Sequence, residues 1–300
     1  MSAFAARVAA APVLRHILLL RPHHWVKNTL VFAVPLTSHL TEGYGPVVLG
    51  FFSFCLVASA VYVCNDLLDS KLDRRHPKKR FRPLAAGTVS SSSAIVLGLV
   101  CLGSGTALAV FVGWSFAGFV AAYLILSCAY SFGLRRMAVV DVFVLATLFG
   151  LRAFSGGIIV DVKCGEWFLT FCAFLFLSLG FLKRYVELRW VQESGEGSEK
   201  FGRGYRPDDL FFLQALGLIC AVSSGVVLCL YLSSDVVDGL YGRKGYLWFA
   251  APLYLFWTTR IWFLANRGTV DHDPIAFAFR DRGTHVIAAA CFLLVYLAAS

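Results

Sequence analysis

The sequence predicts an all-α, polytopic membrane protein with nine transmembrane helices, and three observations predict it. The first is composition. Of 300 residues, 58% are hydrophobic and only 15% are charged, against about 25% charged in a typical soluble domain. The mean hydropathy is +0.72, so there are too few polar residues to coat a globule of this size. The second is the spacing of apolar stretches. A spanning helix needs about 20 mostly apolar residues, and nine candidates run roughly over 25–41, 45–66, 90–111, 114–133, 139–160, 166–186, 209–232, 246–265 and 284–300. The third is the sorting of charge. With nine spans the polar segments alternate between two sides, and one side collects 23 of the 27 Lys and Arg residues. By the positive-inside bias that side is cytosolic. It holds the N-terminus, the loops 67–89, 134–138 and 183–208, and the region after the eighth span. The expected location is therefore the inner (plasma) membrane, multi-pass, with the N-terminus in the cytosol and membrane lipids as partners.

Each element has its own justification. Residues 1–22 are broken by Pro12, Arg15 and His16 and lack a cleavage site, so they read as a cytosolic lead-in, with an amphipathic surface helix as one form. Residues 23–300 form the membrane domain. The first span is short and opens on Trp25, Lys27 and Asn28; Trp25 and Lys27 suit an interfacial anchor. The second ends on a cluster of acids. A Gly-Trp pair at 113–114 separates the third from the fourth. The fifth carries Asp141 and Arg152. The stretch "ESGEGSEKFGRGYRPDD" has the composition of a loop. The nine cysteines lie mostly in apolar runs, and none forms CxxC. They read as small buried hydrophobes, with neither a disulfide framework nor zinc implied. The formal net charge of +9 accompanies no nucleic-acid-binding motif, so no nucleic acid is expected as a partner.

The chemistry concentrates at "NDLLDSKLDRRHPKKRFRPLAAG", residues 65–87. Asp66, Asp69 and Asp73 are spaced i, i+3, i+7, which places them on one helix face. Three carboxylates this close repel unless positive charge lies among them. An oxygen-rich set suits Mg²⁺, which binds one or two carboxylates together with substrate phosphates. Arg74, Arg75, His76, Lys78, Lys79, Arg80 and Arg82 follow directly. Carboxylates beside such a basic run make a diphosphate site, with metal bridging phosphate to Asp and Lys/Arg neutralising the remainder. A topology signal or anionic-lipid patch accounts for the Lys and Arg, but it does not call for three aspartates on one face. Pro77, Pro83 and Gly87 would fix the loop backbone.

This segment resembles the first aspartate motif, NDxxDxxxDxxHPxKxxRPLAxG, of the UbiA superfamily of intramembrane prenyltransferases. "RPHHWVKN" (21–28), "YSFGLRRMAVVDVF" (130–143), "LRAFSGG" (151–157), "KRYVEL" (183–188) and "FRDR" (279–282) resemble one branch, the decaprenyl-phosphate phosphoribosyltransferases. The resemblance covers about residues 20–285. It implies nine helices around a central polar cavity, a Mg²⁺ cofactor, and transfer of 5-phosphoribose from 5-phosphoribosyl 1-diphosphate to a polyprenyl phosphate, with diphosphate released. It puts metal binding on Asn65, Asp66, Asp69 and Asp73, the three aspartates being the catalytic set. It puts phosphate binding on Lys79 and Arg82, and makes Lys27, Asn28, Tyr130 and Arg135 candidates to line the cavity.

The donor is argued from a departure. Aromatic prenyltransferases of this superfamily carry a second aspartate motif after the sixth span. Here the stretch reads "FLKRYVELRWVQESGEG", with Lys183, Arg184, Glu187 and Glu193. A cation pair can receive a lipid monophosphate without a second metal. Arg152, near mid-membrane, should face a cavity or a partner. It lies eleven residues and about 16 Å of helix rise from Asp141, too far for a simple ion pair. Lys183, Arg184 and Arg152 are candidates for the lipid phosphate or the donor 5-phosphate, either way round. Asp141 could hold an arginine, order sugar hydroxyls or cap its helix. The rival readings are isoprenyl transfer from a prenyl diphosphate to an aromatic or other acceptor, and a non-catalytic transporter or lipid-binding protein. The oligomeric state stays open.

Overall fold

The computed structural model describes residues 12–38, 42–74, 79–193, 204–235, 237, 241–270 and 274–299. Every regular element among them is helical. A short helix α1 (Pro12–Leu19) is followed by a 3-10 helix over Pro22–Phe32, which runs into α2 (Ala33–Thr37). Then come α3 (Tyr44–Asp73), α4 (Ser91–Val112), α5 (Trp114–Phe132), α6 (Val140–Ile159), α7 (Glu166–Glu193), α8 (Leu210–Leu232), α9 (Ala250–Asn266), α10 (Pro274–Ala278) and α11 (Arg282–Ala299). Among the described residues, seven helices are long and apolar enough to cross a membrane, and the protein is multi-pass.

The other two expected spans take different forms. The first is the 3-10 helix of 11 residues plus the five residues of α2. Pro22 opens it and Pro35 interrupts its end, and 3-10 runs of this length are uncommon. The eighth is α9, 17 residues long, entered through a 3-10 turn at Lys244–Phe249. The Gly113 break between α4 and α5 falls where the Gly-Trp pair predicts it. Ser90 caps α4, its hydroxyl accepting from the Ser93 N–H at 3.1 Å.

The chain divides into two compact units. The first is Met1–Phe132 with Leu151–Lys163; the second is Gly133–Gly150 with Cys164–Ser300. The boundary falls inside α6. In the first unit α3 is the spine. Its 30 residues rise about 45 Å, longer than a hydrocarbon core of about 30 Å, so its last turns reach past the apolar layer. That length delivers the aspartates to the membrane border. α1 packs at the same end, with Leu19 against Val63, Leu84, Val89 and Ala94. Gly156 lets α6 approach the 3-10 helix: a Cβ there would collide with the Val31 carbonyl oxygen. In the second unit Val142, Leu182, Leu188, Leu213, Ile261 and Trp262 build the core.

Burial separates the helices by role. In α6, 61% of the apolar window is buried, against 17% in α4 and 11% in α11. The helix that carries Asp141 and Arg152 is thus shielded, as buried charge requires. Helices α4 and α11 turn Ile95, Leu99, Phe111, Val286 and Phe292 outward, the surface lipid would cover.

Candidate active site

Three clusters gather the expected residues, two in the first unit and one in the second. The first lies at the C-terminal end of α3. Asp66 and Asp73, two helical turns apart, are buried. Arg82, from the loop after α3, reaches both: its Nη1 donates to Asp66 Oδ1 at 3.2 Å and to Asp73 Oδ2 at 2.7 Å. Arg21 donates to the same Asp66 Oδ1 from the other side, at 2.5 Å. Its guanidinium lies over the Tyr62 ring, 5.1 Å from the centroid. Arg21 sits at φ 52°, a left-handed conformation that a bulky residue before proline seldom takes. Local pins keep it there. Trp25 Nε1 donates to Ser59 Oγ at 3.0 Å, and Ser59 Oγ donates to the Leu20 carbonyl at 2.9 Å. Asn65 and Asp69 are half-buried on α3.

The arrangement bears on the metal. Among the described residues no three His, Cys, Asp or Glu groups close on one ion. Yet oxygens of Asp66 and Asp73 already converge on one cationic nitrogen. Oxygen-only donors from two carboxylates fit Mg²⁺, which completes its octahedron with water and substrate phosphate. The residues present therefore fit the ion, with substrate as part of the site. Arg75, His76, Pro77 and Lys78 lie outside the described residues, as do the side chain of Lys79 and the Asp271–Asp273 run.

The second cluster lies deeper in the first unit. Arg152 Nε donates to Asn28 Oδ1 and its Nη2 donates to Tyr123 OH, both at 2.8 Å. Asn28 Nδ2 donates to Cys55 Sγ at 3.3 Å. The Arg152 guanidinium stacks over the Tyr123 ring at 4.4 Å. Arg152, Asn28, Tyr123 and the neighbouring Lys27 are all buried. The 3-10 helix, α3, α5 and α6 thus each contribute one polar group to a single network. Tyr130 is half-buried at the end of α5.

The third cluster lies in the second unit. Arg184 and Asp141 are both fully buried, with Nε and Oδ2 2.5 Å apart. Arg184 Nη1 also pairs with Glu187, one turn along α7. Tyr205 donates to Asp141 Oδ1 at 2.6 Å. Burial and the Asp141 carboxylate push the Tyr205 phenol up from its ordinary value, so it stays a donor. Lys183 is half-buried beside Arg184, and Arg135 is half-buried in the 3-10 turn Leu134–Arg136. Of the arginines at 152 and 184, one meets neutral hydrogen-bonding partners and the other meets two carboxylates.

Sequence reasoning missed Arg21, Tyr123 and Tyr205. Arg21 stood inside the quoted "RPHHWVKN". Tyr123 stood in the apolar middle of α5, in "VAAYLIL", a polar group where a spanning helix is otherwise hydrocarbon, a signal in itself. Tyr205 gave no signal beyond an aromatic after a polar stretch of sequence.

The profile of the UbiA prenyltransferase family matches residues 28–199. The decaprenyl-phosphate phosphoribosyltransferase of Mycobacterium tuberculosis is 34% identical over 90% of this chain and 89% of its own length. An uncharacterized protein of Sinorhizobium fredii is 35% identical over 90% of this chain, which spans about half (53%) of that relative. Among solved structures, a UbiA homolog from Archaeoglobus fulgidus bound to GPP and Mg²⁺ superposes with a TM-score of 0.70. Its identity is 18%, over 94% of this chain and 99% of the other.

Proposed function

This chain belongs to the UbiA prenyltransferase family, and we propose that it transfers 5-phosphoribose from 5-phosphoribosyl 1-diphosphate to a polyprenyl phosphate, releasing diphosphate. The observation that carries the reading is the mouth of α3, where Asp66 and Asp73 share Arg82 and Asp66 also meets Arg21. A site that interleaves carboxylates with guanidinia matches a metal-bound diphosphate. The choice of donor and acceptor draws on the similarity to the mycobacterial enzyme.

In this reading Asn65, Asp66, Asp69 and Asp73 hold Mg²⁺. When bound, the ion supplies neutralisation of charge on the leaving diphosphate. Arg82 and Lys79 bind the same phosphates, and a fork such as Arg82 can take two oxygens at once. The bond from the anomeric carbon to the diphosphate oxygen breaks. A phosphate oxygen of the lipid forms the new bond at the opposite face. That oxygen is already anionic near neutral pH, so no strong general base is needed. Arg152 with Asn28, together with Lys27 and Lys183, binds the two remaining phosphate groups, the lipid phosphate and the donor 5-phosphate. Asp141, Arg184 and Glu187 support Lys183 on α7, and Tyr130 and Arg135 border the substrate. The isoprenoid tail stays in lipid, where its apolar mass belongs. The charge sorting supports a mouth on the cytosolic side of the plasma membrane.

A second reading has one observation in its favour. The Archaeoglobus structure holds GPP and Mg²⁺, which suits an isoprenyl diphosphate donor. A purified-protein assay in nanodiscs separates the two. With Mg²⁺, labelled 5-phosphoribosyl 1-diphosphate and a polyprenyl phosphate, label is expected to enter the organic phase. No transfer from this donor, with transfer from an isoprenyl diphosphate to an aromatic acceptor, would establish the second reading instead.

A further inference from the structure

The third cluster contains a residue with no role so far. Tyr205 follows the polar stretch "ESGEGSEKFGRG" in sequence, yet it is 5% exposed and packed in the core of the second unit. Three features fix its place. Its hydroxyl donates to Asp141 Oδ1 at 2.6 Å and accepts from the Val139 N–H at 2.8 Å. Val139 sits at φ 67°, a left-handed conformation that a β-branched residue keeps only where its surroundings over-determine it. Gly204, at φ 71°, lies so close to the Arg136 carbonyl that a Cβ would collide with it. The backbone before Tyr205 and the backbone before Asp141 are therefore pressed together, with the phenol as the link.

The consequences run through Asp141. One carboxylate oxygen takes the Tyr205 hydroxyl and the other faces Arg184 Nε. Arg184 in turn reaches Glu187. A buried carboxylate that loses a donor is stabilised less in its place. Without that donor Asp141 is held less firmly, and so is the Arg184 that it meets on α7.

We infer that Tyr205 is a positioning residue that fixes Asp141, and through Asp141 and Arg184 sets the α7 segment Lys183–Glu187 against a phosphate-bearing substrate. The inference rests on the transferase reading, which makes that segment a contact for a phosphate monoester. Two sources carry this chemistry, the lipid phosphate and the 5-phosphate of the sugar donor.

The test uses the whole protein in nanodiscs, as wild type, Tyr205→Phe, Asp141→Asn and the double variant. Dissociation constants are measured separately for a polyprenyl phosphate and for ribose 5-phosphate, with thermal midpoints alongside. Where the wild type turns over, kcat and KM are measured for each substrate. Tyr205→Phe keeps the buried ring, so its midpoint is expected within a few degrees of wild type. Its affinity for one of the two phosphates is expected to fall about fivefold or more, which identifies the source. The double variant is expected to bind no more weakly than Asp141→Asn, because the two residues act as one unit. Wild-type affinity for both phosphates in Tyr205→Phe would overturn the inference. So would strictly additive losses in the double variant. Absence of phosphoribosyl transfer by the wild type would count against the donor reading alone, since the binding series stands without turnover.

Discussion

Arg152 gives two guanidinium nitrogens to neutral partners, Asn28 Oδ1 and Tyr123 OH, and a face to the Tyr123 ring. A lysine ammonium keeps the charge but lacks the planar guanidinium that reaches both partners in a fixed fork while stacking on the ring. Arg152→Lys should therefore lower kcat/KM by roughly 10- to 100-fold, on the scale of one or two lost charge-assisted contacts, while the protein still folds. Steady-state kinetics with a thermal midpoint checks this; unchanged kcat/KM would make Arg152 a packing residue. The sequence made Arg152 legible, because a lone arginine near mid-membrane must face something polar. It did not make its partners legible. Asn28 and Tyr123 lie 124 and 29 residues away, on elements whose packing no local pattern states. The same holds at the mouth. The i, i+3, i+7 spacing pointed to the aspartate face, but Arg21 joins Asp66 across 45 residues.

Helix-to-helix contacts set the next scale. Gly156→Ala puts a methyl group onto the Val31 carbonyl oxygen, which is backbone and cannot rotate away. The two elements must separate, so thermal stability and the yield of folded protein should fall. Gly118→Ala in α5 meets open space and should be neutral or slightly stabilising, since alanine favours helix by about 1 kcal/mol over glycine. Equal midpoints for the two variants would refute the close approach. A second clamp joins α9 to the start of α11. Arg260 meets both oxygens of Asp281, at 2.6 and 3.0 Å, and Asp281 also accepts from the Thr284 N–H at 2.7 Å. Arg260 and these donors hold the Asp281 carboxyl well below the usual carboxylate range. A depressed folded-state value means stability is present above the unfolded value of about 3.9 and is lost as pH falls below it through the folded value. The wild-type midpoint should therefore drop more steeply below pH 4 than that of Asp281→Asn. Parallel pH curves would remove the clamp from the account. Element identity was largely legible here. The hydropathy windows found α3 to α8 and α11, and missed the 3-10 form of residues 22–32, because a proline-started segment packed on α3 follows tertiary contacts rather than periodicity.

For the whole molecule, the account rests on topology and on one reaction. Charge sorting places residues 134–138 in the cytosol and Lys163 on the other side. An alkaline phosphatase fusion after Met137 should therefore be inactive and one after Lys163 active; the opposite pattern would invert the orientation. The seven long helices and the family follow from apolar length and from one dense motif, both local features of the chain. The ion cluster of Asp141, Arg184 and Glu187 was legible only in part: the sequence allowed Asp141 to hold an arginine but did not say which, and Arg184 is fully buried between the two carboxylates. The central claim is that the carboxylates ending α3 are where the reaction happens. The most direct measurement is the rate of label transfer from 5-phosphoribosyl 1-diphosphate to polyprenyl phosphate across a Mg²⁺ titration, in wild type and Asp66→Asn. The account predicts transfer that needs Mg²⁺ and falls at least about 100-fold in Asp66→Asn. Transfer that persists in excess EDTA, or at wild-type rate in Asp66→Asn, would contradict it.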